Sequence, residues 1–481
     1  MRPLLELIDD LAPERSTDPK SVIELADACF ALEGGLSMVF GQPVPTDAAL
    51  RTGLRTRALE AARRWVPKLD SQTLQMLRWR IENRNTPIDL SSRIAELDVE
   101  RMRAHHDAIS AHPEQRPGEL DRMIDDDPEN DAAYDVLADW LIDAGDPRGE
   151  LIALQLAGKT KLADELFEKH RDRFLGPIVS FFPGPEAYDA MQTRLVWRRG
   201  YIHTAKLVVY DPSDSTPRNE LAELLEVIAR HPSGRFLVEL AIGIHGVWGH
   251  RGNLAAIIET LARFAPGSMR SLHVGDFVFP DESDMSAYEV GDLGALWPRL
   301  PRLRRLIVQG SLFSLGTIHL PMLESARFRT GGLPAATARQ IADAHWPQLQ
   351  HLEIWFGSAE YAGDTTLDDI APLFERTDLG ELDSLALRNA ELADQFCAAL
   401  PGEPLIARIK RLDLSMGTMT DEGAHHLVAQ ADALAHLESI VVSDNYLTDA
   451  GTRALERAFG ARVVVGKQKV DDGGRYVSVG E

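Results

Sequence analysis

The chain has 481 residues and a formal charge of −23, from 51 Lys plus Arg against 74 Asp plus Glu. Hydrophobic residues make up 44% and charged residues 26%, which supplies a sizeable core and excludes a wholly disordered chain. Two distant cysteines, Cys29 and Cys397, exclude a disulfide framework or a four-cysteine zinc site, and no run of 18 apolar residues is present to span a membrane.

The length suggests about two to four domains. The first ten residues turn acidic before a signal-peptide core could form, so the expected compartment is the cytoplasm. Acidic balance also argues against nucleic acid, whose phosphates it repels.

Residues 1–112 read as a helical N-terminal region. Asp18-Pro19 has the form of a helix start. The run Val22–Leu32 has helical spacing and stops at Gly34-Gly35. A second helix is expected from Asp47, carrying Leu50, Leu54, Leu59 and Trp65, with two more over Ser71–Ile81 and Ser91–Ile109. Pro113–Gly118 has linker composition.

The next segment is sharply acidic, with three basic and thirteen acidic residues over 111–155. The run Asp125–Asp131 precedes a helix expected over Ala132–Ile142. A turn at Asp143–Pro147 follows, then a helix over Gly149–Lys161. In Asp125–Asp131 the calcium-loop spacing fails, because Ala132 stands where glycine belongs and Ala138 where a bidentate Glu belongs. Helix N-terminal charge is the simpler account of this run. In Asp146, Arg148 and Glu150 the expected roles are a helix start at Asp146-Pro147 and an Arg148–carboxylate pair.

From Tyr201 the chain repeats a template L-x-x-L-x-L, a short strand with three inward apolar side chains. It occurs at Ile202/Ala205/Leu207, Leu237/Leu240/Ile242, Met269/Leu272/Val274, Leu303/Leu306/Val308 and Leu323/Ala326/Phe328. It returns at Leu349/Leu352/Ile354, Leu382/Leu385/Leu387, Ile409/Leu412/Leu414 and Leu437/Ile440/Val442, at a mean spacing of about 29 residues. Helical runs are expected between strands, over Leu221–Arg230, Leu254–Phe264, Ala335–His345, Leu392–Leu400, Glu422–Gln430 and Ala450–Phe459. Strand, loop and helix at this period predict an α/β solenoid over 201–466. Parallel strands line the concave side of a horseshoe and helices the convex side. Val463–Val465 would be its last strand, and residues 467–481 a polar C-terminal cap.

The segments Ile409–Gly423 and Leu437–Gly451, with Leu412-Asp-Leu-Ser and Asn445-Tyr-Leu447, resemble ribonuclease-inhibitor-type leucine-rich repeats. The resemblance implies an Asn that bonds the turn after each strand. Asn445 stands there, whereas Ala390, Gly417 and Ser311 replace it elsewhere. Residues 119–200 resemble the bacterial repeat-companion domain, through Ala138-Asp-Trp-Leu141, Gly145-Asp-Pro-Arg-Gly-Glu-Leu-Ile152, Phe174-Leu-Gly-Pro177 and Trp197-Arg-Arg-Gly-Tyr-Ile202. The ending Asp471–Val479 is similar to that of one bacterial leucine-rich-repeat family. These resemblances imply architecture and a bacterial source, not a reaction.

Catalytic motifs are lacking. Gly460–Lys467 has five residues between its glycines, and Gln468 where a P-loop needs Ser or Thr. His105-His106 and His425-His426 are adjacent pairs, which do not share a helix face. Cys29 and Cys397 sit on apolar helix faces and read as inert thiols. The expectation is a non-enzymatic protein without cofactor or metal. It would be monomeric alone and bind another protein, the specific expectation being an enzyme that it regulates or scaffolds.

The alternatives are a metal-dependent hydrolase using the acidic companion segment, or nucleic-acid binding through a concave Arg stripe made of Arg304, Arg305, Arg327, Arg329, Arg388, Lys410 and Arg411. Strand positions facing the concavity include His273, Ile307, Gln309, Ala386, Ser415 and Val441. The partner-binding candidates among them are Arg327, Arg329, Glu353, Trp355, Arg388, Asn389, Asp413, Met416, Ser443 and Asp444. Trp355 is the sharpest, because Ile354 and Phe356 beside it must face the other way.

Overall fold

The computed structural model describes residues 3–69, 118–181, 194–210, 218–245 and 252–480, together with 73, 74, 77, 81, 87–90 and 93. Backbone contacts divide the chain into two units, residues 1–110 with 212–216, and residues 111–211 with 217–481.

In the first unit, α1 (Leu4–Asp10), α2 (Ser21–Phe30) and α3 (Ala48–Trp65) pack around Ile8, Leu25, Cys29, Leu54, Ala58 and Trp65. Asp47 caps α3 through the Leu50 N–H at 2.6 Å, as its sequence position predicts. The Trp65 indole donates to the Leu11 carbonyl at 2.8 Å and ties α3 to the end of α1. Leu50 is exposed and does not join the core. A small hairpin, β1 (Met38–Val39) and β2 (Gln42–Pro43), interrupts the helical pattern. Thr73, Leu74, Leu77, Ile81 and Arg93 are helical. The remainder of the helices expected over 71–81 and 91–109, with His105-His106 and residues 113–117 of the linker, lies outside the described residues.

The second unit opens with α4 (Gly118–Asp126), α5 (Asp131–Asp143), α6 (Pro147–Leu156), α7 (Thr160–Lys169) and α8 (Arg171–Leu175). Asn130 caps α5, and Asp146 caps α6 with Pro147 in the first helical position. The single helix expected over Gly149–Lys161 is two, because Gly158 takes φ +67° and ends α6. Of the acidic run, Asp131 stands in the first turn of α5, as expected, whereas Asp125 and Asp126 end α4. The Asp146 carboxylate pairs with Arg173 at 2.6 Å. Arg148 is fully buried, donating to the Gly200 carbonyl and, at 3.0 Å, to Ser233 Oγ, with its guanidinium over the Tyr201 ring.

The repeats build an eleven-stranded sheet from β3 (Arg194–Arg198), β4 (Tyr201–Tyr210), β5 (Glu239–His245), β7 (Ser271–Asp276), β9 (Arg305–Gln309) and β11 (Ser325–Arg329). It continues through β12 (His351–Gly357), β13 (Ser384–Ala390), β14 (Arg411–Asp413), β15 (Ser439–Val441) and β16 (Val463–Val464). Every pairing is parallel except β3 with β4.

The register aligns Ala205, Leu240, Leu272, Leu306, Ala326, Leu352, Leu385, Leu412 and Ile440, the second apolar position of each template. All are buried, because each strand has one apolar side and stacking gives it neighbours to cover that side. The helices between strands are α9 (Arg218–Arg230), α10 (Ala255–Phe264), α11 (Ala335–Ala342), α12 (Leu367–Phe374), α13 (Ala393–Ala399), α14 (Asp421–Ala429) and α15 (Asp449–Phe459). α12 has no counterpart among the expected helices; Pro372 breaks its sequence pattern, and a Thr366–Asp369 capping box starts it.

Two features tie the late repeats together. Asp394 accepts from Thr420 N, Thr420 Oγ1 and Gly423 N, and Asp421 accepts from Thr448 N and Oγ1, so each helix start is capped by the helix before it. Asn445 is wholly buried. Its Oδ1 accepts from Met419 N at 3.0 Å, and its Nδ2 donates to the carbonyls of Leu414, Val442 and Ser443. Gly417, in the equivalent place one repeat earlier, leaves room for this amide; a Cβ there would lie 2.7 Å from the Ala390 carbonyl.

The early repeats are less regular. Between their strands, β6 (Gly252–Asn253), β8 (Tyr288–Asp292) and β10 (Ser311–Ser314) pair as a second, three-stranded parallel sheet.

Candidate functional site

One side of the large sheet packs on the helices; the alternate residues form its open face. Register places His273, Ile307, Arg327, Glu353, Ala386, Asp413 and Val441 in one row across seven neighbouring strands. The next row is Gln309, Arg329, Trp355 and Arg388. Ile354 and Phe356 are buried on the opposite side, as alternation requires, and Trp355 is half-buried on the open face.

Glu353 is the hub. Its Oε1 accepts from Arg329 Nε at 2.8 Å and from Trp355 Nε1 at 2.9 Å. Arg388 Nη1 lies 3.9 Å from that oxygen, and Arg327 Nε lies 3.8 Å from Oε2. Burial pushes the Glu353 carboxyl up, but the Arg329 hydrogen bond and the charges of Arg329, Arg388 and Arg327 outweigh it and hold the group below its usual range. The guanidinium carbons of Arg329 and Arg388 sit 5.5 and 5.7 Å from the Trp355 ring centroid, one from each neighbouring strand. Trp355 is therefore held in one orientation by two cations and one carboxylate. Arg388 also reaches Asp413 at 3.5 Å, Ser415 Oγ at 3.0 Å and Met416 Sδ at 2.9 Å.

The structure thus brings together Arg327, Arg329, Glu353, Trp355, Arg388, Asp413 and Met416. It does not bring in the rest. Asn389 is wholly buried, with its amide bonded to Val479, and Gln309 is buried as well, donating to the Phe277 carbonyl at 2.8 Å. Asp444 is exposed but sits in the left-handed turn after β15, the place Asn389 and Met416 take in their repeats. Ser443 packs against Gly466 beside that turn.

The basic stripe is paired. Arg304 bonds Glu324, Arg305 bonds Glu239 at 2.5 Å, and Lys410 and Arg411 share Asp383. At the other end of the row, Asp276 pairs with Lys206 at 2.8 Å and lies 3.5 Å from His273 Nδ1. Burial first, and then the charges of Arg329, Lys206 and Arg327, push His273 down to about 4 against the pull of Asp276. Asp276 and Lys206 belong to this face but lie outside the repeat template, so pattern alone does not find them.

The acidic run Asp125–Asp131 meets the first repeats. Arg270 donates to the Asp125 and Asp126 carbonyls that end α4, and Arg302 pairs with Asp126. Arg199 holds Glu129 at 3.0 Å and Asp131 at 2.6 Å, and Arg235 holds Asp121 at 2.6 Å. Among the described residues, no group of three or more His, Cys, Asp or Glu is placed to hold a metal ion. None of the described helices is long and apolar enough to cross a membrane. Both cysteines are buried, which pushes the Cys29 thiol up to about 12 and raises Cys397 as well.

No family model matches the chain. A 106-residue stretch, 21% of the chain, is 28% identical to Protein NLRC5 of Ictalurus punctatus, and it spans only 6% of that protein's length. Among solved structures, a protein from Bacteroides fragilis is 24% identical over 55% of this chain and 75% of its own, with a TM-score of 0.48. An internalin from Listeria monocytogenes is 12% identical over 61% and 78%, with a TM-score of 0.28. The leucine-rich repeat-containing protein LegL7 of Legionella pneumophila is 14% identical over 57% and 85%, with a TM-score of 0.29.

Proposed function

We propose that this leucine-rich-repeat chain is a recognition protein whose open sheet face binds another protein, and that through this contact it regulates or scaffolds a bacterial enzyme in the cytoplasm. One observation carries the reading: Trp355 stands on the open face, with the guanidinium groups of Arg329 and Arg388 over its ring and its indole N–H tethered by Glu353. A pre-oriented Trp with Arg neighbours is the residue combination that dominates binding energy at protein interfaces. Rigid side chains also lose little freedom on association. Three Arg against Glu353 and Asp413 leave the cluster short of one negative charge, which a carboxylate on the partner would supply.

The helical block over 118–181 and the first-repeat arginines then form a structural end cap. The acidic residues that would have served a metal-dependent hydrolase are engaged with Arg199, Arg235 and Arg302. The carboxylates paired along the Arg stripe likewise favour a protein partner over nucleic acid.

The test is affinity purification of tagged protein from its native host, comparing wild type with the double variant Trp355→Ala, Arg388→Ala. The expected result is one partner held by wild type and weakened at least about 30-fold in the variant, the scale of a hot-spot loss. A partner retained equally by both would move recognition away from this face.

A further inference from the structure

The segment after β16 does more than cover the last strand. Residues 476–480 turn back and cross the ends of the preceding strands, against the order of the repeats. Tyr476 meets the last turn, its N–H donating to Tyr446 Oη at 2.8 Å and its carbonyl accepting from Lys469 Nζ at 2.7 Å. Ser478 N–H donates to the Met416 carbonyl, one repeat back, at 2.9 Å. Val479 is bonded at both backbone groups by one side chain, another repeat back: its N–H donates to Asn389 Oδ1 at 2.8 Å, and its carbonyl accepts from Asn389 Nδ2 at 2.6 Å. Gly480 lies against Gly331 so closely that a Cβ on Gly331 would collide with the Gly480 carbonyl, and a Cβ on Gly480 would stand 2.7 Å from the Tyr361 ring.

Ser478, Val479 and Gly480 thus meet the turns after β14, β13 and β11 in that order. Recognition is mainly of backbone, as in other modes in which an extended peptide is held through its main chain. Side-chain selection falls on two positions: Val479 is buried, while Tyr476 and Ser478 are exposed. A side chain at position 480 would have to displace the Tyr361 ring. Beyond Gly480 the groove opens into a cavity of about 150 Å³ bordered by Met285, Ser286, Glu289, Thr330 and Tyr361.

We propose that the strand-end groove formed by Tyr446, Met416, Asn389 and Gly331 is a peptide-binding site for an extended aliphatic–glycine segment, and that the chain's own residues 476–480 are its resident ligand, held in cis and separable from the fold. The groove adjoins the open-face cluster, because Met416 accepts Ser478 at its carbonyl and Arg388 at its sulfur. Binding at this groove does not require the proposed partner of the open face.

The test compares the full chain with a chain ended at Val470, probed by a labelled synthetic peptide of residues 471–481 in fluorescence anisotropy. The shortened chain is expected to keep its circular dichroism and cooperative melting, and to bind the peptide saturably at one site. Val479→Asp or Gly480→Val in the peptide, or Asn389→Ala in the shortened chain, should weaken binding at least tenfold. The full chain should bind at least tenfold more weakly than the shortened one, since its groove is filled by a tethered ligand at high effective concentration. A shortened chain that folds but fails to bind at millimolar peptide overturns the proposal. So does one that loses its cooperative melting, because the segment is then part of the core. In the full chain, Val479→Asp should free residues 471–481 to proteolysis while the repeats stay resistant; continued protection would overturn separability.

Discussion

The two ends of the large sheet are closed in different ways. At the β3–β4 end, a five-helix block packs Ile124, Tyr134 and Leu137 against Tyr201 and Phe236, and buries the guanidinium of Arg148 beneath them. At the β16 end, a two-residue strand and a peptide crossing the strand ends suffice, with Val479 as the buried anchor. Both solve one problem, since a solenoid's terminal repeats have no neighbour to bury their apolar side or pair their edge. The difference is one of commitment. The first closure is a folded body whose central polar group, the Arg148 guanidinium, is buried away from water, so removing that group is costly. The second is a short segment held by a few hydrogen bonds, of which only the Asn389–Val479 pair is buried.

The largest expected effect lies at the committed end. Arg148→Ala leaves the Gly200 carbonyl and Ser233 Oγ without their guanidinium partner and opens a cavity between Tyr201 and Phe174. It should cost about 3–5 kcal/mol, read as a drop in the denaturation midpoint. If the loss is under about 1 kcal/mol, the block is an accessory and the contrast between the ends fails.

Asn445→Ala comes next. It strips partners from the Met419 N–H and from three carbonyls within the regular repeats, and should cost about 2–3 kcal/mol. Asn389→Gly, which keeps the left-handed φ of +54°, removes a comparable amide, but one whose partners are both on Val479, and should lower global stability by only about 1 kcal/mol. Equal effects would mean that the crossing segment is as integral as the repeat turns.

A pH scan sharpens the picture on the open face. His273 sits at about 4 in the folded chain against an ordinary 6.5. As pH falls through that window the unfolded chain takes up the proton first, so stability is lost between about 6.5 and 4, with no further loss from this group below. His273→Gln should flatten that part of the profile. The groups facing the ring are Asp276, Lys206, Arg327 and Arg329; if His273→Gln leaves the slope unchanged, one of the carboxylates sets it.

How much of this was legible in the sequence follows from periodicity. The template Leu-x-x-Leu-x-Leu places one apolar side on each strand, so Leu352, Leu385 and Leu412 could be aligned before their register was seen. Period-two alternation likewise put Trp355 opposite Ile354. Three things were not legible. The buried state of Asn389 depends on a segment 90 residues away, which no local pattern encodes. The second sheet uses strands as short as Gly252–Asn253, too short for any period to show. The acidic run reads as helix charge until Arg270 and Arg302, both more than 140 residues on, are brought against it. Local rules found what repeats; long-range polar pairing escaped them.

The smallest effect concerns that acidic contact, and it separates two explanations of the committed end. Arg302 pairs with Asp126 where their side chains are 35% and 63% exposed. Such a pair is worth about 0–1 kcal/mol and is screened by salt. Arg270 is more deeply placed, and its guanidinium caps the carbonyls of Asp125 and Asp126 at the end of α4. Arg302→Ala should therefore change stability by less than about 1 kcal/mol, and less again at 1 M salt. Arg270→Met should cost about 1–2 kcal/mol with little salt dependence, since it removes a cap rather than a screened charge pair. The reverse order would show that the acidic run holds the block by net charge attraction, and that the −10 charge of residues 111–155 is what closes this end of the sheet.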